Sequence, residues 1–383
     1  QVARALIAET LAESPDVAAL ERKVRKFEAS DDEDVRALAQ SQRIELEGLR
    51  AGRTPEELAA AIAEREDRQP TDHRRLPELL APEEAEKHGR PDARGARAWH
   101  QRDWEANRDA AAGQLAARVE AELARRPSFG VNLESLGLAE VVYPGLAALR
   151  PPDAVLARAP STARAVLAEV WPDLLAALCD SLRQSGCVDL GRSPAATVFA
   201  DQKWIGRFAS LRERGPDLVP FVGRTREQAR RQFAERVAER AGAPGLGELL
   251  LEAVFEQLAA AGLDWLEVEP RETRAGGAAQ GIRVRFTRLR LRAPRTLFES
   301  KRTSQLWPRS VLAQAPSPGC DDLEPITGEA ATESSRWSRR REELTSAEEL
   351  RLALWADEHS AQLSTPENER RAWLFRQGAR NVL

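Results

Sequence analysis

Apolar residues in the N-terminal third of the chain recur at helical spacing, but their stripes are narrow and rich in alanine. Residues 1–28 are predicted to form two helices. Thr54 and Pro55 begin another, because a threonine hydroxyl caps a helix and a proline suits its first turn. Prolines and glycines between 68 and 95 indicate a loop, and 96–126 are predicted to form a further helix. The scarcity of large apolar residues favours solvent-exposed helices over a compact core.

The middle of the chain contains two stretches with the same order of elements: a helix, a glycine and a short strand. The first helix covers 162–184 and ends at Gly186, and the second covers 248–260 and ends at Gly262. The second strand continues through a glycine-rich tip at 274–281 into a return strand. A helix followed by such a hairpin is the plan of a winged helix, although generic helix–strand pairs produce the same pattern.

The return strand carries five arginines at alternating positions, and their phase changes at Thr287. The arginines are Arg283, Arg285, Arg288, Arg290 and Arg292. A regular strand would place some of them in the core, where an unpaired guanidinium opposes folding. We therefore predict a β-bulge, or a turn that divides two strands, near Phe286–Arg288.

Two interpretations of these arginines remain open. In the first, they form a row of guanidinium groups that binds the phosphates of a nucleic acid. In the second, they lie on a solvated sheet face and pair with carboxylates elsewhere in the chain. The formal net charge of −4 means that any affinity for nucleic acid must come from such a local patch.

The C-terminal stretch combines a polar loop, a helix and the beginning of a buried strand. Residues 354–383 read LWADEHSAQLSTPENERRAWLFRQGARNVL, with His359 and Ser360 in the loop. A threonine–proline pair begins the helix and Gly378 ends it. The apolar residues 381–383 then begin the strand.

This order of residues resembles the second RecA-like lobe of superfamily 2 DEAD/DEAH-box helicases, specifically the large bacterial type with a long insertion in that lobe. The resemblance covers 355–383, weakens over 297–326 and is faint before that. It implies that His359 and Ser360 lie near the path of a nucleic-acid strand. It also implies that 297–383 is a helicase lobe truncated at its C-terminus.

The resemblance implies that the whole protein is an ATP-dependent helicase that binds ATP and Mg²⁺ between two RecA-like lobes, the first of which is missing here. The sequence has no G-x-x-x-x-G-K-[ST] phosphate loop. We therefore expect this chain to bind nucleic acid, DNA rather than RNA, without hydrolysing ATP. Because the chain lacks methionine and stops within a predicted strand, we interpret it as an internal fragment.

Taken together, these patterns predict a mainly α fold with minor β in three regions. Residues 1–130 form a helical arm or insertion, 131–296 a mixed, winged-helix-like region, and 297–383 a truncated RecA-like α/β lobe. The presence of only three cysteines favours a cytoplasmic protein. No apolar run is long enough to span a membrane, so no membrane partner is expected.

A metal site is not expected between 297 and 320. The resemblance would place cysteine pairs of a zinc-ribbon type there, but Ser300 and Ser304 stand at candidate ligand positions. Cys320 is left alone, and a structural zinc needs four ligands. Cys179 lies on an apolar helical face, which favours an inert core thiol.

An alternative from a different functional class is a non-enzymatic helical adaptor. In that case the N-terminal helices form an interaction surface for another protein, and the arginines of the return strand are merely solvated. The sequence that follows Leu383 discriminates between the two classes. A threonine-rich strand end followed by Q-x-x-G-R-x-G-R is expected for the helicase.

Overall fold

The computed structural model describes residues 2–12, 17–28, 51–80, 101–124, 132–189, 205–223, 229–303, 305–317 and 320–326, with isolated positions between 35 and 48. Over these residues the chain is mainly helical and contains several small β-sheets. The predicted class, mainly α with minor β, is confirmed at this level.

Helices and strands alternate irregularly along the described part of the chain. The helices are α1 (Val2–Ala12), α2 (Val17–Glu28), α3 (Pro55–Asp67), α4 (Trp104–Ala124), α5 (Asp153–Arg158), α6 (Ser161–Gln184), α7 (Ala229–Arg240) and α8 (Gly247–Ala260). Short 3₁₀ turns cover Thr71–His73, Leu76–Leu79, Leu146–Ala148 and Phe286–Arg288. The strands are β1 (Glu140–Val142), β2 (Val188–Asp189), β3 (Phe208–Ser210), β4 (Leu218–Pro220), β5 (Leu266–Glu272), β6 (Ala278–Arg285), β7 (Arg290–Arg292), β8 (Leu297–Ser300), β9 (Leu306–Trp307) and β10 (Leu323–Ile326).

The start of α3 follows from the local sequence alone. Thr54 Oγ1 accepts a hydrogen bond from the Glu57 backbone N–H at 3.1 Å, and Glu57 Oε2 accepts one from the Thr54 N–H at 2.9 Å. Pro55 occupies the first helical position. This reciprocal cap satisfies two backbone donors that would otherwise lack a partner, and it confirms the predicted helix start.

The N-terminal helices are not the solvent-exposed arm that their narrow stripes predicted. Leu6 of α1, Leu58 of α3 and Leu115 of α4 are fully buried, and they belong to the same hydrophobic core as α6 and α8. Buried alanines such as Ala59 and Ala111 leave room for the helices to approach closely, so a few leucines fill the remaining space. The prediction failed because it gave weight only to large apolar side chains.

One hydrophobic core also runs across the boundaries predicted at 130 and 296. It includes Leu123 and Leu133 around the first boundary, and Leu291 and Val311 around the second. A backbone bridge joins distant parts of the chain, because the Arg53 N–H donates to Leu291 O at 2.8 Å and the Leu291 N–H donates to Arg53 O at 2.7 Å. The described parts of the three predicted regions are therefore packed against one another.

Strand β6 is the centre of the largest sheet, which has five strands. β5 pairs with β6 antiparallel over nearly its whole length. On the other side, β2 pairs with β6 parallel and β3 pairs with it antiparallel, and β4 lies beyond β3. Val284 of β6 is in register with both Val188 of β2 and Leu266 of β5.

The two predicted helix–glycine–strand units are confirmed as local structure. Between α6 and β2, Gly186 adopts a left-handed conformation with φ of 80°, and between α8 and β5 Gly262 does the same with φ of 63°. Glycine has no Cβ and takes this conformation without a steric penalty, which is why each helix ends there. The two units deliver their strands to opposite sides of β6.

The remaining strands form two smaller antiparallel sheets. β1 pairs with β7, and β8 lies between β10 and β9. The sheet of β8, β9 and β10 belongs to the region predicted to be a RecA-like lobe, whose residues from 327 onward lie outside the described chain.

A tight turn between β9 and β10 holds two ordinary residues in a left-handed conformation. Val311 and Gln314 each donate a backbone N–H to the other's carbonyl oxygen at 3.0 Å, and between them Leu312 and Ala313 have φ of 50° and 61°. Asparagine and glycine usually occupy such positions. For other L-residues the conformation costs about 1–2 kcal/mol each, so the surroundings must impose it here.

Candidate nucleic-acid interface

The arginine-rich strand is interrupted where the change of phase required it. β6 ends at Arg285, a 3₁₀ turn covers Phe286–Arg288, and β7 begins at Arg290. The turn is closed by the Leu289 N–H, which donates to Phe286 O at 3.0 Å. Phe286 and Leu289 are fully buried, so the turn keeps the apolar residues on the core side. The predicted dividing turn is confirmed.

The same turn separates the arginines into two sheets. Arg283 and Arg285 belong to β6 in the five-stranded sheet, whereas Arg290 and Arg292 belong to β7, which pairs with β1. Arg288 lies in the turn itself. The five guanidinium groups therefore do not follow one continuous strand.

Arg283 is held by carboxylates and by an aromatic ring. Its Nε lies 2.5 Å from Glu267 Oε2, and its Nη2 lies 3.5 Å from Asp189 Oδ1. The guanidinium carbon stands 4.4 Å from the centre of the Phe208 ring, and that of Arg271 stands 4.3 Å from the same centre. The hydrogen bond from Arg283 lowers the pKa of Glu267, which keeps this carboxylate charged.

The arginines of β7 are also engaged within the protein. Arg292 donates to both carboxylate oxygens of Glu140, with Nε at 3.2 Å and Nη2 at 3.0 Å. Arg290 donates through Nη1 to Gly52 O at 3.0 Å, and the same nitrogen lies 3.7 Å from Glu57 Oε2. The pairing with carboxylates that the second interpretation predicted is therefore present at Arg283, Arg290 and Arg292.

Arg285 and Arg288 remain most accessible to an external ligand. The side chain of Arg285 is 44% exposed, and its closest carboxylate, Glu267, lies 4.0 Å away. Arg288 is exposed and has no ionic partner among the residues that the structure describes. His359 and Ser360 lie outside the described residues, so the structure does not place them relative to these arginines. Nucleic-acid binding by the five arginines and by His359 and Ser360 stays a prediction.

A buried group of charged residues was not predicted from the sequence. The Arg183 side chain is fully buried and donates to Glu134 Oε2 at 2.5 Å, and Asp180 Oδ1 lies 3.2 Å from the same nitrogen. Tyr143 donates its hydroxyl to Asp180 Oδ1 at 2.7 Å, and burial raises the pKa of that hydroxyl well above its usual range. Arg309 Nε lies 2.8 Å from Asp180 Oδ2, an ion pair without the alignment of a hydrogen bond. We call these five residues the Arg183 cluster.

The sequence contained one signal for the Arg183 cluster. Asp180 and Arg183 stand among the buried apolar residues of α6, where an unpaired charge would be costly. Their partners Glu134, Tyr143 and Arg309 lie 37 or more positions away, so no spacing rule could have identified them. The cluster is best understood as structural, because its charges satisfy one another.

The residues between 297 and 320 show hydrogen bonds where a zinc ribbon would carry ligands. Ser300 Oγ lies 2.8 Å from Asp322 Oδ1, and Thr303 Oγ1 lies 3.7 Å from the buried Cys320 Sγ. Ser304 lies outside the described residues. In the described chain we find no group of three or more histidine, cysteine and carboxylate side chains that could hold a metal ion. Cys179 is fully buried in the core, and burial raises the pKa of its thiol.

A surface groove of about 590 Å³ runs along α7 towards the start of α8. Its walls carry both signs of charge: Arg231, Gln232, Glu235, Arg236, Glu239, Gly245 and Glu248. Arg231 pairs with Glu248, and Glu235 accepts from the Gly245 N–H at 2.6 Å. The groove is large enough for a small ligand or a short peptide side chain, but its charges largely compensate one another.

Comparisons of the chain with protein-family models, curated proteins and solved structures found no match. None of the described helices combines the length and apolar character needed to cross a membrane. The fold class of the described residues, mainly α with minor β, is the classification that the structure supports.

Proposed function

We propose that the chain is part of the second motor lobe, with its insertion, of a superfamily 2 DEAD/DEAH-box helicase. In this proposal it contacts the backbone of a nucleic acid, DNA rather than RNA, and does not hydrolyse ATP by itself. ATP and Mg²⁺ would bind between this lobe and the missing first lobe in the whole protein. The observation that carries the proposal is the order of residues over 355–383, including His359 and Ser360.

The contacts of the five arginines favour two of them as binding residues for a phosphate backbone. Arg283, Arg290 and Arg292 are committed to partners in the protein, so recruiting them would require breaking existing contacts. Arg288 could bind a phosphate without that cost, and Arg285 would weaken only its 4.0 Å ion pair with Glu267. The winged-helix-like arrangement of α8, β5 and β6 belongs to the same proposal, because a hairpin after a helix is a common form of nucleic-acid-binding module.

The test is binding of the 383-residue chain to fluorescent single-stranded DNA, followed by anisotropy over a range of salt concentrations. We expect R285Q/R288Q to weaken binding. The slope of the logarithm of the binding constant against the logarithm of the salt concentration should become less steep by roughly 0.7 for each phosphate that the chain no longer neutralises. The matched control is R118Q/R158Q. It removes the same charge from two exposed arginines, one in α4 and one at the end of α5, that lie outside the winged-helix-like arrangement.

Each outcome of this experiment decides something. An equal reduction of binding in both double variants would show unspecific attraction and would remove Arg285 and Arg288 as a site. No binding by the unmodified chain at low salt would contradict the proposed contact with nucleic acid. DNA-stimulated ATP hydrolysis by the purified chain would contradict the proposal that this chain does not hydrolyse ATP by itself.

The second candidate is a non-enzymatic helical adaptor. The observation that favours it is the compensation of charge, both on the arginine-bearing sheets and along the α7 groove. An adaptor would show no salt-dependent DNA binding in the anisotropy experiment. The N-terminal helices would offer less surface to a partner than their sequence predicted, because their apolar residues are already buried in the core.

A further inference from the structure

Helix α2 exposes a dense group of positive charges. Within the five positions 22–26, four side chains are basic and exposed: Arg22, Lys23, Arg25 and Lys26. We call these four residues the α2 basic face. Among the described residues, none of the four has a carboxylate within ion-pairing distance. These charges differ in this respect from Arg283 and Arg292, which are neutralised by carboxylates of the same chain.

The opposite side of α2 explains why the basic residues point to solvent. Leu20 and Val24 are buried together with Leu46, in a small cluster separate from the main hydrophobic core. Successive residues of a helix are rotated by about 100°, so two residues four positions apart share one side. The same geometry places the basic residues on the other side, with Arg22 and Lys26 at its centre. Burial of the apolar side therefore orients the α2 basic face outward.

The side chains of the α2 basic face are free to meet an external ligand. The contact of Lys23 within the described chain is with an aromatic ring, since its Nζ stands 5.6 Å from the centre of the Phe27 ring. A cation–π contact at an exposed site contributes only about 0.5–1 kcal/mol. An anion that approaches this face therefore breaks no ion pair with a carboxylate of the described chain, whereas at Arg283 it would have to displace Glu267.

The chemistry of α2 favours a nucleic-acid backbone over a membrane surface as its partner. A helix that lies on a membrane buries its apolar side at the boundary of the acyl chains. In α2 that side is already buried against Leu46, so only the charges are available. Phosphates need no more than exposed cations, and their neutralisation releases counterions. Arg22 and Lys26 lie about 6 Å apart along the helix axis, which allows them to contact different phosphates.

We propose that the α2 basic face is a second binding site for the phosphate backbone of a nucleic acid, in addition to Arg285 and Arg288. The contact is independent of base sequence, because it is made to phosphates alone. It gives a chain with a formal net charge of −4 the local positive patch that such binding requires. This inference rests on the proposed function only for the class of ligand.

Fluorescence anisotropy of the 383-residue chain with a fluorescent oligothymidine tests this inference. We expect R22Q/K26Q to weaken binding about tenfold at low salt, and to make the slope against salt less steep by roughly 0.7 for each phosphate lost. K23Q/R25Q removes the other two charges of the face and should act in the same direction. R118Q/R158Q is again the control with the same loss of charge, and it should change the affinity less than twofold.

Glutamine substitutions should leave α2 folded, because glutamine favours a helix about as well as arginine and lysine do. Far-UV circular dichroism of each variant checks this. If R22Q/K26Q does not fold, K23Q/R25Q decides alone.

The failure of this inference is distinguishable from the failure of the proposed function. If R285Q/R288Q weakens binding and both α2 variants bind like the unmodified chain, the inference is wrong and the proposed site remains. The α2 basic face would then be solvated, or paired with the acidic residues 31–34 of the sequence. If the α2 variants weaken binding and R285Q/R288Q does not, the inference holds and Arg285 and Arg288 are excluded.

Two further results would overturn the inference. An equal loss of affinity in the α2 variants and in R118Q/R158Q would show unspecific attraction by the total charge. Binding to phosphatidylserine vesicles that R22Q/K26Q abolishes, together with unchanged binding of oligothymidine, would assign the α2 basic face to an anionic membrane instead.

Discussion

Arg183 and Arg283 each meet two carboxylates, but they do so in different surroundings. Arg183 lies 2.5 Å from Glu134 and 3.2 Å from Asp180, and its side chain is fully buried. Arg283 lies 2.5 Å from Glu267 and 3.5 Å from Asp189, and a fifth of its side chain is exposed. The distances are nearly the same, so the two sites differ mainly in how far water reaches the guanidinium group and the second carboxylate, since Asp189 is 29% exposed and Asp180 8%.

This difference shows that the stability lost with one partner of an ion pair depends on whether water can solvate the charge that is left. Removing a guanidinium from the interior leaves carboxylates that water cannot reach, at a cost of about 3–5 kcal/mol. Removing it from a partly exposed sheet face lets water replace it, so the cost falls to about 1 kcal/mol or less. We therefore expect the Arg183 cluster to determine stability and the sheet face to contribute little.

The largest effect should come from Arg183→Met. We expect the free energy of unfolding to fall by about 3–5 kcal/mol, because Glu134 loses its nearest buried counter-charge, whereas Asp180 keeps Arg309. Urea denaturation followed by circular dichroism measures this. The double variant R183M/E134Q should recover part of the stability, since the stranded charge of Glu134 is gone. If the free energy of unfolding falls by less than about 1 kcal/mol, the Arg183 cluster contributes no more to stability than the sheet face does.

A smaller, pH-dependent effect should come from Glu267→Gln. The pKa of Glu267 is lowered in the folded protein by the hydrogen bond from Arg283, so its contribution is present above the ordinary carboxyl pKa. It is lost as the pH falls through the lowered value. The stability difference between the unmodified chain and the variant, about 1 kcal/mol or less near neutral pH, should therefore shrink on acidification. Urea titrations at several pH values check this. A stability difference between the two proteins that grows as the pH falls would contradict it.

The smallest effect on stability should come from R285Q/R288Q. Both side chains are exposed, and the ion pair of Arg285 with Glu267 is long at 4.0 Å, so the free energy of unfolding should change by less than about 0.5 kcal/mol. Thermal unfolding measures this directly. A larger decrease would place these two arginines with Arg283 as structural residues. It would also mean that a change in DNA binding by this variant could not be attributed to the site alone.

Local chemistry was predictable where the signal lay within a few residues. The cap of α3 needs only Thr54, Pro55 and Glu57, and the turn at Phe286–Arg288 follows from the phase of neighbouring arginines. The partners of these arginines were not predictable. Glu267 and Glu140 become neighbours only through strand pairing, and acidic residues are too common in this sequence for one to be chosen in advance.

The packing of the N-terminal helices escaped prediction for a different reason. Hydrophobic periodicity measures how much apolar surface a helix carries, but not how closely another helix can approach it. Ala59 and Ala63 of α3 are both buried, and they contribute mainly by being small. A count of large side chains therefore underestimates the core that such helices can form.

The bridge between Arg53 and Leu291 sets an order of events during synthesis. The two residues are separated by 238 positions, as are Gly52 and Arg290, which meet at the same place. A ribosome adds about 5–20 residues per second, so the first partner waits roughly 10–50 s for the second. During that interval the N-terminal helices lack the strand that they will pack beside. Leu6, Leu58 and Leu115, which the folded chain buries in one core with α6 and α8, also lack part of their cover until the later elements have been made.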